Sequence, residues 1–291
     1  MGRRRIYALD VGAFDSLSDD ARYWVGLLTA DGTVANRLGQ RYVKLSLKVG
    51  DSAHVEAFRV FLGSNQPILV EVGSGYGKDC SSAVLKINSR ELAERMIDLG
   101  VTPHKSGRER LQDRFANDPC TWRGVVDGDG WCTFQNTKSG PIPLVGVCGS
   151  LTLCEQFAAW VGSFAGRSPT IGPNHSIWKA STTGDPAKIA VKAMYTAPGP
   201  ALARKKVNAL AIMRWERKIQ DRSALTLDHL LTLRAESANW PEVAIKLGMT
   251  YENLRTTLHD RRKMSQEAGH GVDHFHRNRL REGYTLEVLE G

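Results

Sequence analysis

The segment Trp24-Val-Gly-Leu-Leu-Thr-Ala-Asp-Gly32 returns in altered form as Trp122-Arg-Gly-Val-Val-Asp-Gly-Asp-Gly130. Each copy reads as an apolar helix that ends in Asp-Gly and runs into strand-like sequence. Gly26 and Ala30 in the first copy, and Gly124 and Gly128 in the second, are spaced i, i+4, so each helix carries a stripe with almost no side chain. Two such stripes can pack backbone to backbone. That packing brings Asp31 and Asp129 out side by side at the same end. A helix C-terminus is already electronegative, so two carboxylates there repel each other and the dipole, and a divalent cation relieves the repulsion. Gly32 and Gly130 are expected just past each helix, in the left-handed conformation that a glycine tolerates.

From each motif the same elements follow in the same order. After Asp31 the pattern predicts strands at 33–38 and 41–49, a helix from Asp51 to Leu62, strands at 68–73 and 81–87, and a helix at 89–99. After Asp129 it predicts strands at 131–137 and 143–148, a helix near 151–164, strands at 168–171 and 176–182, and a helix at 185–195. The halves are pseudo-repeats, offset by 98 residues.

The doubled motif resembles that of the LAGLIDADG homing endonucleases, in their two-motif, single-chain form. Thr29 stands where the motif has its first Asp, and Arg123 and Gly128 replace its two alanines, but the terminal acid and glycine are kept in both copies. The resemblance implies an α+β fold of two pseudo-symmetric αββαββα halves that form a saddle of antiparallel sheets. It also implies a metal-dependent DNA endonuclease that makes a double-strand break with short 3′ overhangs. Asp31 and Asp129 would be the catalytic metal ligands, joined by the carbonyls of Ala30 and Gly128, with Mg2+ as the metal and Mn2+ able to substitute. Hard cations held by carboxylates suit phosphodiester hydrolysis, which needs an activated water and neutralised charge. Family members also carry a basic residue shortly after the third helix of each half. Lys105 in Thr102-Pro-His-Lys-Ser106 and Lys205 in Ala201-Leu-Ala-Arg-Lys-Lys206 match that position. Asp51 reads as a helix N-cap near the site.

An antiparallel sheet with helices on one face leaves the other face available. In Gln40–Lys48, Val43, Leu45 and Leu47 fall on one face and Lys44, Ser46 and Lys48 on the other. With Arg37, Gln40 and Arg41 they form a polar surface in the first half. Thr133, Gln135, Lys138, Lys179 and Ser181 do so in the second. Such faces suit base edges and phosphates in a major groove. The expected partner is double-stranded DNA with a long, partly asymmetric target, bound by a monomer with internal pseudo-two-fold symmetry.

A net charge of +8 and a pI near 9.3 agree with a polyanionic partner. The five cysteines form no Cys-x-x-Cys pair and are odd in number, which suits reduced thiols of an intracellular protein in cytoplasm, nucleoid, organelle or phage-infected host. No apolar stretch is long enough to span a bilayer. The termini lack the ends of an intein, so a free-standing or intron-encoded protein is expected.

The expected domains are 1–107 and 108–219 for the halves, 220–263 for a helical domain, and 264–291 for a basic tail. Leu225–Glu236 reads as a helix, and Trp240–His259 as helix, turn at Gly248 and second helix. This resembles a helix-turn-helix, with Val243, Ala244, Leu247, Leu254 and Leu258 inward, and Tyr251, Asn253, Arg255, Thr256 and Thr257 offered to DNA. Gly73–Lys78 has the glycines of a phosphate loop, but no Ser or Thr follows Lys78 and it falls between two strands, so a hairpin turn is expected. His270, His274 and His276 sit in the tail without cysteine partners. The rival functions are a non-cleaving DNA- or RNA-binding protein on the same scaffold, an intron maturase or transcriptional regulator, and a non-specific basic nuclease.

Overall fold

The structure is a computed structural model of the chain, and it describes residues 6–72, 81–137, 140–216 and 225–267. Lys138, the Gly73–Lys78 segment and the tail histidines lie outside the described residues. The contacts divide the chain into two compact units, the larger holding both repeats.

The first repeat runs α1 (Asp19–Ala30), β1 (Gly32–Arg37), β2 (Gln40–Lys48), α2 (Ser52–Phe61), β3 (Leu69–Val72), β4 (Ser81–Ile87) and α3 (Arg90–Asp98). A short α4 (Asp113–Ala116) leads into the second: α5 (Pro119–Asp129), β5 (Gly130–Thr137), β6 (Gly140–Gly149), α6 (Leu151–Gly162), β7 (Thr170–Asn174), β8 (Ile177–Thr183) and α7 (Asp185–Thr196). The unit closes with α8 (Ala203–Arg214), which the sequence pattern does not predict. Both sheets are four-stranded, in the orders β1-β2-β4-β3 and β5-β6-β8-β7. The fold is α+β with two αββαββα halves. The strand expected at 168–171 runs instead from Thr170 to Asn174.

Both motif helices start on capped ends. The Ser18 hydroxyl accepts from Ala21 N, with Asp19 and Asp20 in the first turn of α1. Asp118 accepts from Thr121 N at 2.6 Å, with Pro119 opening α5. Neither helix is amphipathic in the usual sense: Tyr23 to Ala30 and Cys120 to Asp127 are buried on every side. A helix that is buried all round belongs at the centre of a core. Trp24 packs on His54, Phe58 and Phe61, and Trp122 on Phe157 and Trp160, so the repeated tryptophan anchors each half in the same way.

Gly32 and Gly130 do not adopt the left-handed conformation expected of them. Both begin strands, and Gly130 is extended at φ −120°. Their requirement is steric: a β-carbon on Gly32 would lie 2.6 Å from Leu28 O, and one on Gly130 2.6 Å from Gly146 O. The chain turns from helix into sheet without room for a side chain.

The smaller unit contains α9 (Leu227–Ala235), α10 (Trp240–Lys246) and α11 (Tyr251–Glu267). Leu225, Leu230, Trp240, Val243, Ala244, Leu254 and Leu258 form its core. Asn239 caps α10 by accepting from Glu242 N at 2.9 Å. Gly248, left-handed at φ 63°, ends it. No helix among the described residues is long and apolar enough to cross a membrane.

Candidate functional site

The site is set by how closely α1 and α5 approach. A β-carbon on Gly124 would lie 2.1 Å from Tyr23 O, and Gly26 stands in the matching relation to the backbone of Thr121. One turn on, a β-carbon on Gly128 would lie 2.4 Å from Cβ of Ala30 and 3.2 Å from Oδ2 of Asp31. The side-chain-free stripes of Gly26, Ala30, Gly124 and Gly128 therefore face each other, and Asp31 emerges against the residue that precedes Asp129.

Each acid feels this crowding. Burial, and then Asp129, pushes the Asp31 carboxyl up to about 6, against the pull of Lys205 and Lys105. Asp129 is also raised by burial, opposed by Lys105 and Lys205. Folding thus holds two carboxylates where charge is expensive.

The two lysines sit at the ends of these helices. Lys105 Nζ donates to Ala30 O. Lys205 Nζ, in the first turn of α8, reaches Val126 O at 2.6 Å, Asp127 O at 2.7 Å, Gly130 O at 2.8 Å and Gly128 O at 3.2 Å. An ammonium among the last carbonyls of a helix meets the negative end of its dipole. Burial lowers the pKa of both lysines, with the nearby acids opposing. The Ala30 and Gly128 carbonyls, expected beside the acids as metal ligands, each carry an ammonium here. Among the described residues no group of three or more His, Cys, Asp or Glu could hold a metal.

Behind the acid pair lies a polar network that the motif alone does not flag. Asp127 Oδ2 accepts from Tyr23 at 2.8 Å and from Leu202 N at 2.7 Å, while Oδ1 accepts from Tyr195 at 2.7 Å. Tyr23 in turn meets His54 Nε2 at 2.5 Å. One buried carboxylate thereby ties α1, α7 and the segment before α8 together, which fixes where Lys205 begins. In the first copy this position is Thr29, whose hydroxyl bonds back to Val25 O within its own helix. Arg123, which replaces a motif alanine, is fully buried and donates to the carbonyls of Met194, Ala197 and Pro198. The available signal was in the helix itself: an Arg in place of a motif alanine, and the first motif Asp kept in this copy, demand partners inside an otherwise apolar helix.

Asp51 stands at the N-cap position of α2, as expected, but does not cap it through its side chain. That side chain accepts instead from Arg204 Nε at 3.1 Å, a pair that joins the first half to α8.

The strand faces follow the alternation. Val43, Leu45 and Leu47 are buried while Lys44, Ser46 and Lys48 are not, and Arg37, Gln40, Gln135 and Lys179 are exposed. Arg41, Thr133 and Ser181 are half-buried. In the smaller unit Arg255 and Thr256 are exposed on α11, and Tyr251 and Asn253 are half-buried. Thr257, expected to face DNA, is instead buried and bonds back to Asn253 O, because it shares its helix face with Leu254 and Leu258.

No protein-family model matches the chain, and no curated protein sequence matches it. Solved structures of similar fold include the LAGLIDADG meganuclease I-AabMI bound to uncleaved DNA, 11% identical over 75% of this chain and 98% of that one, TM-score 0.47. The homing endonuclease I-WcaI bound to its DNA recognition sequence is 8% identical over 68% and 87%, TM-score 0.48. Meganuclease I-SmaMI bound to uncleaveable DNA with a TTGT central four is 14% identical over 74% and 94%, TM-score 0.44.

Proposed function

We propose that this chain is a monomeric, divalent-metal-dependent endonuclease that cuts both strands of a duplex DNA target, leaving short 3′ overhangs. The observation that carries the reading is the convergence of Asp31 and Asp129 at the ends of two helices packed glycine against backbone. A purely structural contact between helices gains nothing from placing two carboxylates where burial raises both pKa values.

The donor set fits a hard cation: two carboxylate side chains, with the remaining positions left to water and phosphate oxygen. Asp31 and Asp129 would hold Mg2+ or Mn2+, which supplies charge neutralisation at the phosphate and a more acidic water. The chain's own groups do the rest. Close packing of α1 and α5 fixes the separation of the acids. Lys105 and Lys205 neutralise the helix ends and limit the repulsion between the carboxylates. Arg37, Gln40, Arg41, Lys44, Ser46 and Lys48 in one half, and Thr133, Gln135, Lys179 and Ser181 in the other, offer donors and acceptors to base edges and phosphates. Tyr251, Asn253, Arg255 and Thr256 of the smaller unit add contacts and lengthen the target.

The test is cleavage of a randomised duplex library by the wild type and by Asp31→Asn and Asp129→Asn, with Mg2+ and with Ca2+. Magnesium-dependent double-strand cuts at one extended site, lost in either variant while binding persists, support the endonuclease. Specific binding without a cut under any metal leaves a maturase or regulator on this scaffold. Cutting without site preference leaves a non-specific nuclease.

A further inference from the structure

A groove of about 450 Å3 opens between β1 and the 102–106 loop. It starts at Gly32, next to Asp31, and reaches Arg37 at the far end of β1, with Gln40 and Tyr42 of β2 on its wall. Among the described residues β1 has a strand on one side only, so its outer edge fronts the groove. Six strand residues extend roughly 16 Å, a length that spans several phosphates of one DNA strand.

Three basic side chains, Arg37, His104 and Lys105, converge on it. Arg37 Nη2 donates to His104 Nε2 at 2.5 Å. Lys105 follows in the chain and has one partner among the described residues, Ala30 O. An imidazole nitrogen occupies one of the five guanidinium protons, and Lys105 keeps two more. Among the described residues no carboxylate is in ion-pair contact with any of the three, although Asp129, Glu109 and Asp31 act on Lys105 from farther away. His104 is also left-handed at φ 52°, a conformation its β-carbon disfavours. The loop accepts that strain while placing a ring against a guanidinium, which is a poor pairing for stability alone. In the second half the residue before Lys205 is Arg204, and it is already neutralised by Asp51.

We propose that this groove is a phosphate clamp: Arg37 and His104 grip a phosphodiester of one DNA strand, a few nucleotides from the bond attacked at Asp31, and Lys105 lines the path between. The proposal rests on the duplex-cleaving reading above. A clamp of this kind sets register and affinity and carries no base information.

The test is fluorescence anisotropy of a labelled random-sequence duplex across a salt series. Arg37→Ala is expected to lower the slope of log affinity against log salt by roughly 0.9, the share of one neutralised phosphate. His104→Gly, which suits the left-handed backbone and removes the ring, is expected to weaken binding by roughly tenfold. Arg167→Ala, at an exposed arginine after α6, is expected to leave the slope unchanged. Wild-type affinity in His104→Gly, or an equal slope change in Arg167→Ala, overturns the clamp while the nuclease reading stands. A wild type that ignores the duplex overturns both. Inorganic phosphate shifting the His104 ring resonances of a protein that ignores the duplex assigns the groove to a free anion, and overturns the phosphodiester.

Discussion

The carbonyl oxygen of Thr121 stands 2.0 Å from where a β-carbon on Gly26 would be. No side-chain rotation relieves that contact, because the obstructing atom is backbone of a helix that is itself buried. Gly26→Ala must push α1 and α5 apart, so a loss of about 3 kcal/mol or more is expected, at the high end for overpacking. Gly172→Ala, whose β-carbon meets nothing within 4 Å, is the matched control and should change stability by less than about 0.5 kcal/mol. Urea unfolding of both variants measures this; equal midpoints would remove the case for backbone-to-backbone packing.

Lys205 and Lys105 occupy matching places but hold different numbers of carbonyls, four against one. Lys205→Met removes an ammonium shared by four carbonyls, of which Val126 O keeps the Gly130 amide, and is expected to cost about 3 kcal/mol, whereas Lys105→Met removes a single bond, worth about 1 kcal/mol. Denaturant midpoints at neutral pH check the ranking. Similar effects in the two variants would mean that the four carbonyls around Lys205 are not what hold the end of α5.

How far the sequence could be read depends on what kind of physics each feature obeys. The i, i+4 glycines and the alternation of Val43, Leu45 and Leu47 are periodic and survive in a one-dimensional string, so the helix pair, the order of strands and the exposed faces were legible. The role of Gly32 and Gly130 was not, because the usual reason for a glycine after a helix is conformational, and here it is close approach to Leu28 and Gly146. Asp127, Tyr195 and Leu202 are drawn together only by tertiary folding, across up to 75 residues, and nothing local marks them as partners. Thr257 and the Asp51 side chain depart from expectation for the same reason: the helix face of one and the ion pair of the other depend on neighbours distant in sequence.

His54 makes stability depend on pH. Burial lowers its pKa from 6.5 to about 4, so the unfolded chain takes up a proton first as pH falls. Between about pH 6.5 and 4 the unfolded state binds more protons, and stability drops by up to about 3 kcal/mol over that window. His54→Gln removes the titration while retaining a polar partner for Tyr23. Unfolding midpoints collected through the window should fall more steeply in the wild type than in the variant; parallel curves would locate the acid sensitivity elsewhere.

The smaller unit separates contact from support on a single helix. Leu254 is fully buried, so Leu254→Ala should destabilise that unit by about 2–5 kcal/mol. Arg255 and Thr256 are exposed, so Arg255→Ala and Thr256→Ala should leave its unfolding unchanged and weaken duplex binding, with a shallower salt dependence for the arginine. Thermal melts paired with anisotropy distinguish these effects. Unchanged affinity in both exposed variants would deny this helix a role in DNA binding.

Asp31 exposes the conflict between stability and function at the acid pair. Its folded pKa of about 6 lies above the ordinary 3.8, so its favourable contribution is complete below the lower value and is lost as pH rises through the upper one. At about pH 8 without metal the ionised side chain therefore costs the fold on the order of 1–3 kcal/mol. Asp31→Asn is expected to raise the melting temperature in a chelator by a few degrees at that pH, and by little at about pH 4. Mg2+ should raise the melting temperature of the wild type, which has two carboxylates to neutralise, and do so much less in the variant. Differential scanning fluorimetry across pH, with and without Mg2+, reads both effects. A variant less stable than the wild type in chelator at high pH would show that the carboxylate supports the fold rather than straining it, and would remove the electrostatic case for a cation between the two acids.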